Sequence, residues 1–126
     1  MRYLILTVTC LFGAAQPVSA AEQPHVVIQN HLSKCLSASR ADISSSSGLL
    51  TAEADITLRE PIGACGCFSS LASYQSTVYI NGASQLLQEG LIDLKSGGRK
   101  IFVLSTEPGL IKGEEPRLRI SCAPPL

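Results

Sequence analysis

The sequence predicts an all-β domain: a two-sheet antiparallel sandwich with immunoglobulin-like character, stapled by two disulfides. Three observations favour this fold class. Residues 50–58 alternate apolar and polar side chains, as a strand with one buried and one solvated face does. Short β-rich runs along the chain are separated by Gly, Pro and Asn turn signals. Four cysteines follow a predicted export signal, which is typical of a disulfide framework. A small open barrel is the alternative architecture.

The beginning of the chain has the organisation of a signal peptide. Arg2 supplies one early positive charge, residues 3–15 form an apolar run, and Val18-Ser19-Ala20 provides a small-residue cleavage site. The apolar run is too short to span a bilayer, which needs about 20 residues. We therefore predict a signal peptide over residues 1–20, a single β-sandwich domain over residues 21–126, and no membrane span.

The charge balance and the cysteines indicate the compartment and exclude some partners. Loss of Arg2 with the leader leaves nine basic residues against ten acidic ones. Such a balance argues against nucleic acid, whose binding proteins carry clustered basic charge, and against a polybasic membrane patch. Cys10 lies in the leader, and the four remaining cysteines indicate an oxidising compartment. We predict a periplasmic protein, with secretion as the alternative.

The first half of the domain contains one clear strand and several weaker segments. Residues 25–30 are rich in β-branched side chains and predict a short first strand. Residues 32–41 are ambiguous between a helical turn and a loop, and the serine-rich residues 44–48 predict a flexible loop. Residues 50–58 are the alternating strand, and residues 59–63 then turn the chain.

The middle of the chain predicts a long β-hairpin. Residues 67–80 are rich in aromatic and β-branched side chains and predict a strand with a kink or bulge near Ser73. Asn81-Gly82 is a strong two-residue hairpin signal, because type I′ turns need positive φ at both positions. Residues 84–94 return as the partner strand, with a bulge predicted at Gly90.

Two short strands complete the predicted fold. Residues 100–104 form one of them, between turn signals at Ser96-Gly97-Gly98 and Glu107-Pro108-Gly109. Residues 117–122 alternate and form the other. Its inward side chains are Leu118, Ile120 and Cys122, and its outward ones are Arg117, Arg119 and Ser121. The inward position of Cys122 predicts a buried disulfide.

The disulfide prediction depends on Cys65-Gly66-Cys67. On an extended strand, cysteines separated by one residue point to the same face, so each can bridge to a different distant segment, at Cys35 or Cys122. Four cysteines allow three pairings, and the sequence does not choose among them. The alternative is a strained Cys65–Cys67 bond, which is typical of a thiol–disulfide exchange site.

The sequence offers little for a metal or acyl-transfer site. His25 and His31 with a reduced Cys35 are a candidate copper or zinc set, although a firm site wants more ligands at short spacing. Ser69-Ser70 and the serines of residues 44–47 lie in no Gly-x-Ser-x-Gly elbow. We predict no catalytic residue, no metal and no cofactor.

Two carboxylates share the solvated face of the alternating strand. Glu53 and Asp55 are a candidate acid–base pair. The preferred interpretation is a cross-strand ion pair with Arg117 and Arg119, since opposite charges are common partners on neighbouring strands.

Three segments in the C-terminal half share a recognisable pattern. They are the Cys-Gly-Cys segment with its small-residue strand at residues 65–74, the glycine-hinged residues 88–94, and the ending at residues 118–124. These segments resemble a family of small exported bacterial proteins that is catalogued only as a domain of unknown function. The resemblance implies an exported, β-rich domain, and it assigns neither an activity nor a catalytic residue.

These observations predict a non-enzymatic protein that binds another periplasmic or envelope protein, as an accessory or assembly factor of an envelope or secretion system. Strand edges and loops are the expected contact surfaces. Two alternatives stay open: a thiol–disulfide or metal-handling protein that uses Cys65-Gly66-Cys67, and an inhibitor of a secreted hydrolase. Bonds from this segment to Cys35 and Cys122 favour the binding protein, whereas a Cys65–Cys67 bond or free thiols favour the redox alternative.

Overall fold

The computed structural model describes residues 13–14, 26–111 and 113–125. The predicted signal peptide over residues 1–20 therefore lies outside the described residues, apart from Gly13 and Ala14. The described part of the chain forms strands and two short 3-10 helices, Ile62–Cys65 and Pro108–Leu110. The strands are β1 (Val27–Asn30), β2 (Leu36–Ser46), β3 (Leu49–Leu58), β4 (Leu71–Ile80), β5 (Ala83–Asp93), β6 (Gly98–Ser105) and β7 (Arg117–Cys122).

The strands form two sheets that pack face to face. One sheet has the order β1-β7-β4-β5, and the other has the order β2-β3-β6. β1 pairs with β7 in parallel, and the other pairs are antiparallel. Buried side chains of both sheets form one core, in which the rings of Tyr74 on β4 and Phe102 on β6 meet edge to face, 5.2 Å between centroids. The predicted two-sheet sandwich is thereby confirmed.

The connectivity differs from that of an immunoglobulin domain. That fold places its first two strands side by side in one sheet. Here β1 lies in the four-stranded sheet and β2 in the three-stranded sheet. The predicted immunoglobulin-like character is therefore not confirmed. The prediction rested on the number and spacing of strands, and these do not determine which strands become neighbours.

β3 is the central strand of the three-stranded sheet and follows the predicted alternation. Ala52, Ala54 and Ile56 are buried in the core, while Glu53 and Asp55 lie on the opposite, partly exposed face. Since β2 and β6 cover both edges of β3, its backbone groups are paired along its length.

β2 occupies residues that the sequence left undecided or assigned to a flexible loop. The strand pairs with β3 as far as Ser46 opposite Leu49. Only Ser47 and Gly48 form the turn, with φ values of 52° and 78°. The serine-rich loop prediction is therefore wrong for most of its length. Serine has no strong strand preference of its own, but pairing against a buried neighbour decides the conformation of an edge strand.

β4 and β5 form the predicted hairpin with two corrections. The first strand begins at Leu71 rather than at residue 67. The irregularity lies between Ser76 and Thr77 of β4, where Leu87 is the extra residue of β5, and neither Ser73 nor Gly90 is bulged. Gly90 lies directly opposite Tyr74, and a Cβ atom there would be 2.9 Å from that ring. Glycine is therefore needed for close approach of a ring and not for a bulge.

The register places the connections at two ends of the sandwich. The stapled end comprises residues 31–35, 59–70, 94–97 and 123–125. The hairpin end comprises residues 47–48, 81–82, 106–111 and 113–116. At the hairpin end, Asn81 and Gly82 have φ values of 52° and 79°, as the predicted type I′ turn requires.

Candidate functional site

Both disulfides lie at the stapled end, and the predicted staple is confirmed. Cys35 is bonded to Cys65, with 6.2 Å between their Cα atoms. Cys67 is bonded to Cys122, with 5.1 Å between their Cα atoms. The sequence left the pairing open. In the structure, each cysteine of the Cys-Gly-Cys segment reaches a different distant part of the chain.

The backbone of this segment is not the extended strand that the sequence argument assumed. Ile62–Cys65 forms a short 3-10 helix, and Gly66 ends it in the left-handed conformation, with φ of 94°. Residues other than glycine rarely adopt this conformation. The turn separates the two sulfurs, so that Cys65 reaches Cys35 beside β2 and Cys67 reaches β7. The segment therefore ties itself covalently to both sheets.

Hydrogen bonds hold the neighbouring β1–β2 connection against the same end. Asn30 Nδ2 donates to the carbonyl of Leu36 at 2.9 Å. The guanidinium of Arg59 donates to the carbonyls of Ser33 and Leu36, and its backbone amide donates to the carbonyl of Cys35 at 2.7 Å. Because these groups are bonded within the protein, the stapled end presents a fixed surface.

A groove of about 400 Å³ opens on this surface. Ile62 and Leu94 lie at its base, each only 1% exposed, and Phe68 stands beside it with 88% of its surface exposed. Among the lining residues that the structure describes, Lys95 carries the only charge. The remaining lining residues are Pro61, Gly63, Cys67, Ser69 and Ser70. The groove is thus mainly apolar, with one cation at its edge.

The chain is anchored on both sides of Phe68. Cys67 is held by its disulfide, and the carbonyl of Ser70 accepts a hydrogen bond from the amide of Leu94 at 2.9 Å. Between these anchors residues 68–70 form a bend, and the ring of Phe68 stays outside the core.

The sequence did not identify Phe68 as exposed. It placed this residue in the strand predicted over residues 67–80; Tyr74 and Val78, which lie an even number of residues further along that strand, are indeed buried. The strand instead starts after Ser70, so the phase does not extend to Phe68. The one available signal was Ser69-Ser70, which interrupts the run of large strand-forming residues.

The groups considered for metal or redox chemistry are not assembled into a site. His25 lies outside the described residues, His31 is exposed, and Cys35 is bonded to Cys65. Within the described ranges, no group of three or more His, Cys, Asp or Glu residues is placed to hold a metal ion. No Cys65–Cys67 bond exists, since each of these cysteines has another partner.

Glu53 and Asp55 are ion-paired, but not with the predicted partners. Arg99 on β6 lies 3.4 Å from Glu53 and 3.5 Å from Asp55. Arg117 and Arg119 are on β7, in the other sheet, so the predicted pairing is wrong. Alternation showed correctly that these side chains point outward, but it cannot tell which strand is the neighbour.

The fold and the disulfides at its stapled end define the class of this protein: it is a small all-β sandwich with two disulfides. Such domains are typical of oxidising, non-cytoplasmic compartments. In the part of the chain that the structure describes, no helix is both long enough and apolar enough to cross a membrane.

Comparison with known proteins assigns the chain to a family. Residues 5–125 match the family described as an uncharacterized protein conserved in bacteria, DUF2195, and the chain belongs to this family. The match extends well beyond the C-terminal half in which the sequence showed its resemblance. Neither a curated protein nor a solved structure gives a significant match.

Proposed function

We propose that this protein is a non-enzymatic binding protein of the periplasm, and that its groove at the stapled end engages another envelope protein. Its role is that of an accessory or assembly factor of an envelope or secretion system. The observation that carries the proposal is Phe68, an aromatic side chain that is 88% exposed beside an apolar groove on a fixed surface.

The exposed ring is a source of binding free energy. Full burial of a Phe side chain stabilises a complex by about 1.5–3 kcal/mol. Aromatic residues that fill pockets contribute most of the energy of many interfaces. Since Cys67 and the base of the groove are already fixed, little conformational entropy is lost when a partner docks.

The lining defines the chemistry of the partner segment. Ile62, Leu94 and the ring of Phe68 suit an apolar side chain. The ammonium group of Lys95 favours a carboxylate next to it, since complementary charge fixes the orientation of a bound segment. The expected occupant is therefore a segment of an envelope protein in which an apolar residue adjoins an acidic one.

Binding is favoured over catalysis by the state of the reactive groups. Cys65 and Cys67 are in disulfides, and Glu53 and Asp55 are paired with Arg99, so the groups that the sequence nominated for redox or acid–base chemistry are already engaged. The disulfides and the predicted signal peptide support an exported protein. The periplasm is the proposed location, and secretion is the alternative.

The disulfide pairing also bears on the two alternative functions. A thiol–disulfide exchange site needs an accessible, easily reduced pair, whereas Cys35 is 0% exposed and bonded to Cys65. Inhibition of a secreted hydrolase is a special case of protein binding that no separate observation favours. Addition of the purified protein to lysozyme and protease assays tests it directly.

Site-specific photo-crosslinking in living cells tests the proposal. A benzophenone amino acid replaces Ser69, in the groove lining, and the matched control replaces the exposed Ser45 on β2, in the other sheet from the arginine-bearing strand β7. We expect a discrete adduct with an envelope protein from position 69 and none from position 45. Phe68→Ala should lower the yield of that adduct by roughly tenfold, the effect of losing one interface anchor.

Two controls make this result specific. Phe68→Ala should leave the melting temperature nearly unchanged, because its ring packs against little of the core. Lys95→Glu should weaken the same adduct through charge repulsion. An adduct that forms equally well without Phe68, or equally well from position 45, would contradict the proposal.

A further inference from the structure

The outer face of the four-stranded sheet contains a second depression, of about 200 Å³, towards the hairpin end. We call it the arginine face. All four strands of the sheet contribute to it: Gln29 from β1, Gln75 and Tyr79 from β4, Ser84 from β5, and Arg117 and Arg119 from β7. Leu118 and Ile120, which alternate with the two arginines, are buried, so both guanidinium groups project away from the core.

Neutral partners hold the two guanidinium groups in place. Nη2 of Arg119 donates to Oε1 of Gln75 at 2.8 Å, and the amide of Gln75 in turn donates to Glu89 at 3.4 Å. The guanidinium of Arg117 lies over the ring of Tyr79, 4.4 Å from its centroid. Such a cation–π contact orients the group while leaving its charge uncompensated.

The charge of these arginines contrasts with that of Arg99 on the other sheet. Arg99 is neutralised by two carboxylates, Glu53 and Asp55. Among the described residues, no carboxylate lies within ion-pair distance of Arg117 or Arg119. Two oriented cations that no described carboxylate contacts directly form a candidate recognition site for an anion, because guanidinium groups bind carboxylates in a planar, bidentate geometry.

The size and spacing of the site define the ligand further. Small-molecule sites enclose about 300–1,000 Å³, so a depression of about 200 Å³ takes single groups that project from a larger partner. Arg117 and Arg119 are two residues apart on a strand, which separates them by about 7 Å. Side chains on alternate residues of an extended polypeptide have the same separation.

We propose that the arginine face binds an acidic segment of a protein, in which two carboxylates on alternate residues meet Arg117 and Arg119. Glu89 lies on the adjacent edge strand β5, directly opposite Gln75, and gives the site a negative border. That border disfavours nucleic acids and anionic membranes, whose charge continues across a wide surface. The inference does not rest on the groove at the stapled end, since the two sites share no lining residue.

A labelled peptide of alternating Glu and Ser residues is the probe, titrated with the purified protein and followed by fluorescence anisotropy. We expect saturable binding, and no binding of the same peptide with Gln in place of Glu. Arg117→Gln and Arg119→Gln should each weaken binding by roughly tenfold, because each removes a charge-assisted contact. Arg99→Gln is the matched control and should change affinity less than about twofold.

Tyr79 provides a test of positioning. Tyr79→Leu removes the ring beneath Arg117 and should weaken binding severalfold, whereas Tyr79→Phe keeps the ring and should retain affinity. Melting temperatures of all variants should match that of the parent protein, because these side chains lie outside the core.

Three results would overturn the inference. One is equal affinity for the Glu and Gln peptides, or no binding of either. A second is a loss of affinity in Arg99→Gln as large as that in the β7 variants. The third is competition by inorganic phosphate, or binding to vesicles containing phosphatidylglycerol, at concentrations where the peptide also binds, which would assign the site to phosphates.

Discussion

The two ends of the sandwich hold their connections by different means. At the stapled end, disulfides join residues that are 30 and 55 positions apart in the chain. At the hairpin end, two turns are closed locally, by Ser47-Gly48 and Asn81-Gly82, whose four residues all have positive φ. The stapled end therefore depends on long-range covalent bonds, and these two turns of the hairpin end depend on the conformational preferences of a few residues.

The difference between these two turns and the stapled connection over residues 59–70 follows from their lengths, although the hairpin end also carries the long connection from β6 to β7, to which neither disulfide is attached. A two-residue turn leaves little chain to order, whereas residues 59–70 connect strands of different sheets through a long, mostly irregular path. Closing and fixing such a loop costs conformational entropy. The disulfides reduce this cost by restricting the unfolded chain. The second disulfide also holds Cys67 next to Phe68, so the disulfide-bonded end is the end that carries the proposed binding groove.

The largest expected effect is the loss of a disulfide at the stapled end. Cys122→Ala should reduce the free energy of unfolding by about 2–5 kcal/mol, as loss of a native bridge does in small secreted domains. Urea unfolding followed by circular dichroism measures the change. An unchanged unfolding midpoint would contradict the stapled picture.

A paired comparison separates the two bonds. The double variants Cys67→Ala/Cys122→Ala and Cys35→Ala/Cys65→Ala leave no unpaired thiol. The first removes the bond with the longer sequence separation, 55 against 30 residues. The chain-entropy model therefore predicts that it loses about 0.5 kcal/mol more than the second. The reverse order would show that native-state packing dominates.

A smaller effect is expected in the sheet between the two ends. Gly90→Ala introduces a Cβ atom 2.9 Å from the ring of Tyr74 and should cost about 1–3 kcal/mol, the usual range for overpacking. Gly109→Ala is the control, since no atom lies within 4 Å of its new Cβ, and it should stay within about 0.5 kcal/mol of the parent. Equal effects at both positions would rule out the ring contact as the cause.

The smallest effect is expected at the hairpin end. Asn81→Ala places alanine at φ of 52° and should cost about 1 kcal/mol, because a Cβ atom without a polar group disfavours the left-handed region. Ser47→Asn, at the same φ in the other turn, should be neutral or slightly stabilising. Thermal unfolding of both variants measures these changes. A loss at the turn as large as that from Cys122→Ala would remove the contrast between the ends.

Local sequence patterns predicted individual strands and turns, but they did not predict which strands lie next to each other. The alternation in β3 and the turn at Asn81-Gly82 were read correctly, because side-chain period and turn chemistry depend on adjacent residues. The partner of Glu53 was wrong, because the identity of a neighbouring strand depends on topology. The candidate groove was not foreseen, since Phe68 is exposed only because the strand begins later than its composition suggests.

By itself, the sequence determined that this chain forms paired strands, that its cysteines form two disulfides, and which face of β3 and β7 points outward. Those properties follow from the alternation of side chains along a strand, the amino-acid composition and the number of cysteines. None of these depends on which distant residues come into contact. Only the tertiary structure decided the pairing of Cys65 with Cys35, the separation of β1 and β2 into different sheets, and the grouping of Arg117 with Tyr79. Each of these features depends on contacts between residues that are distant in the chain. Such contacts form, and contribute to stability, only when the strands have paired and the two sheets have packed together.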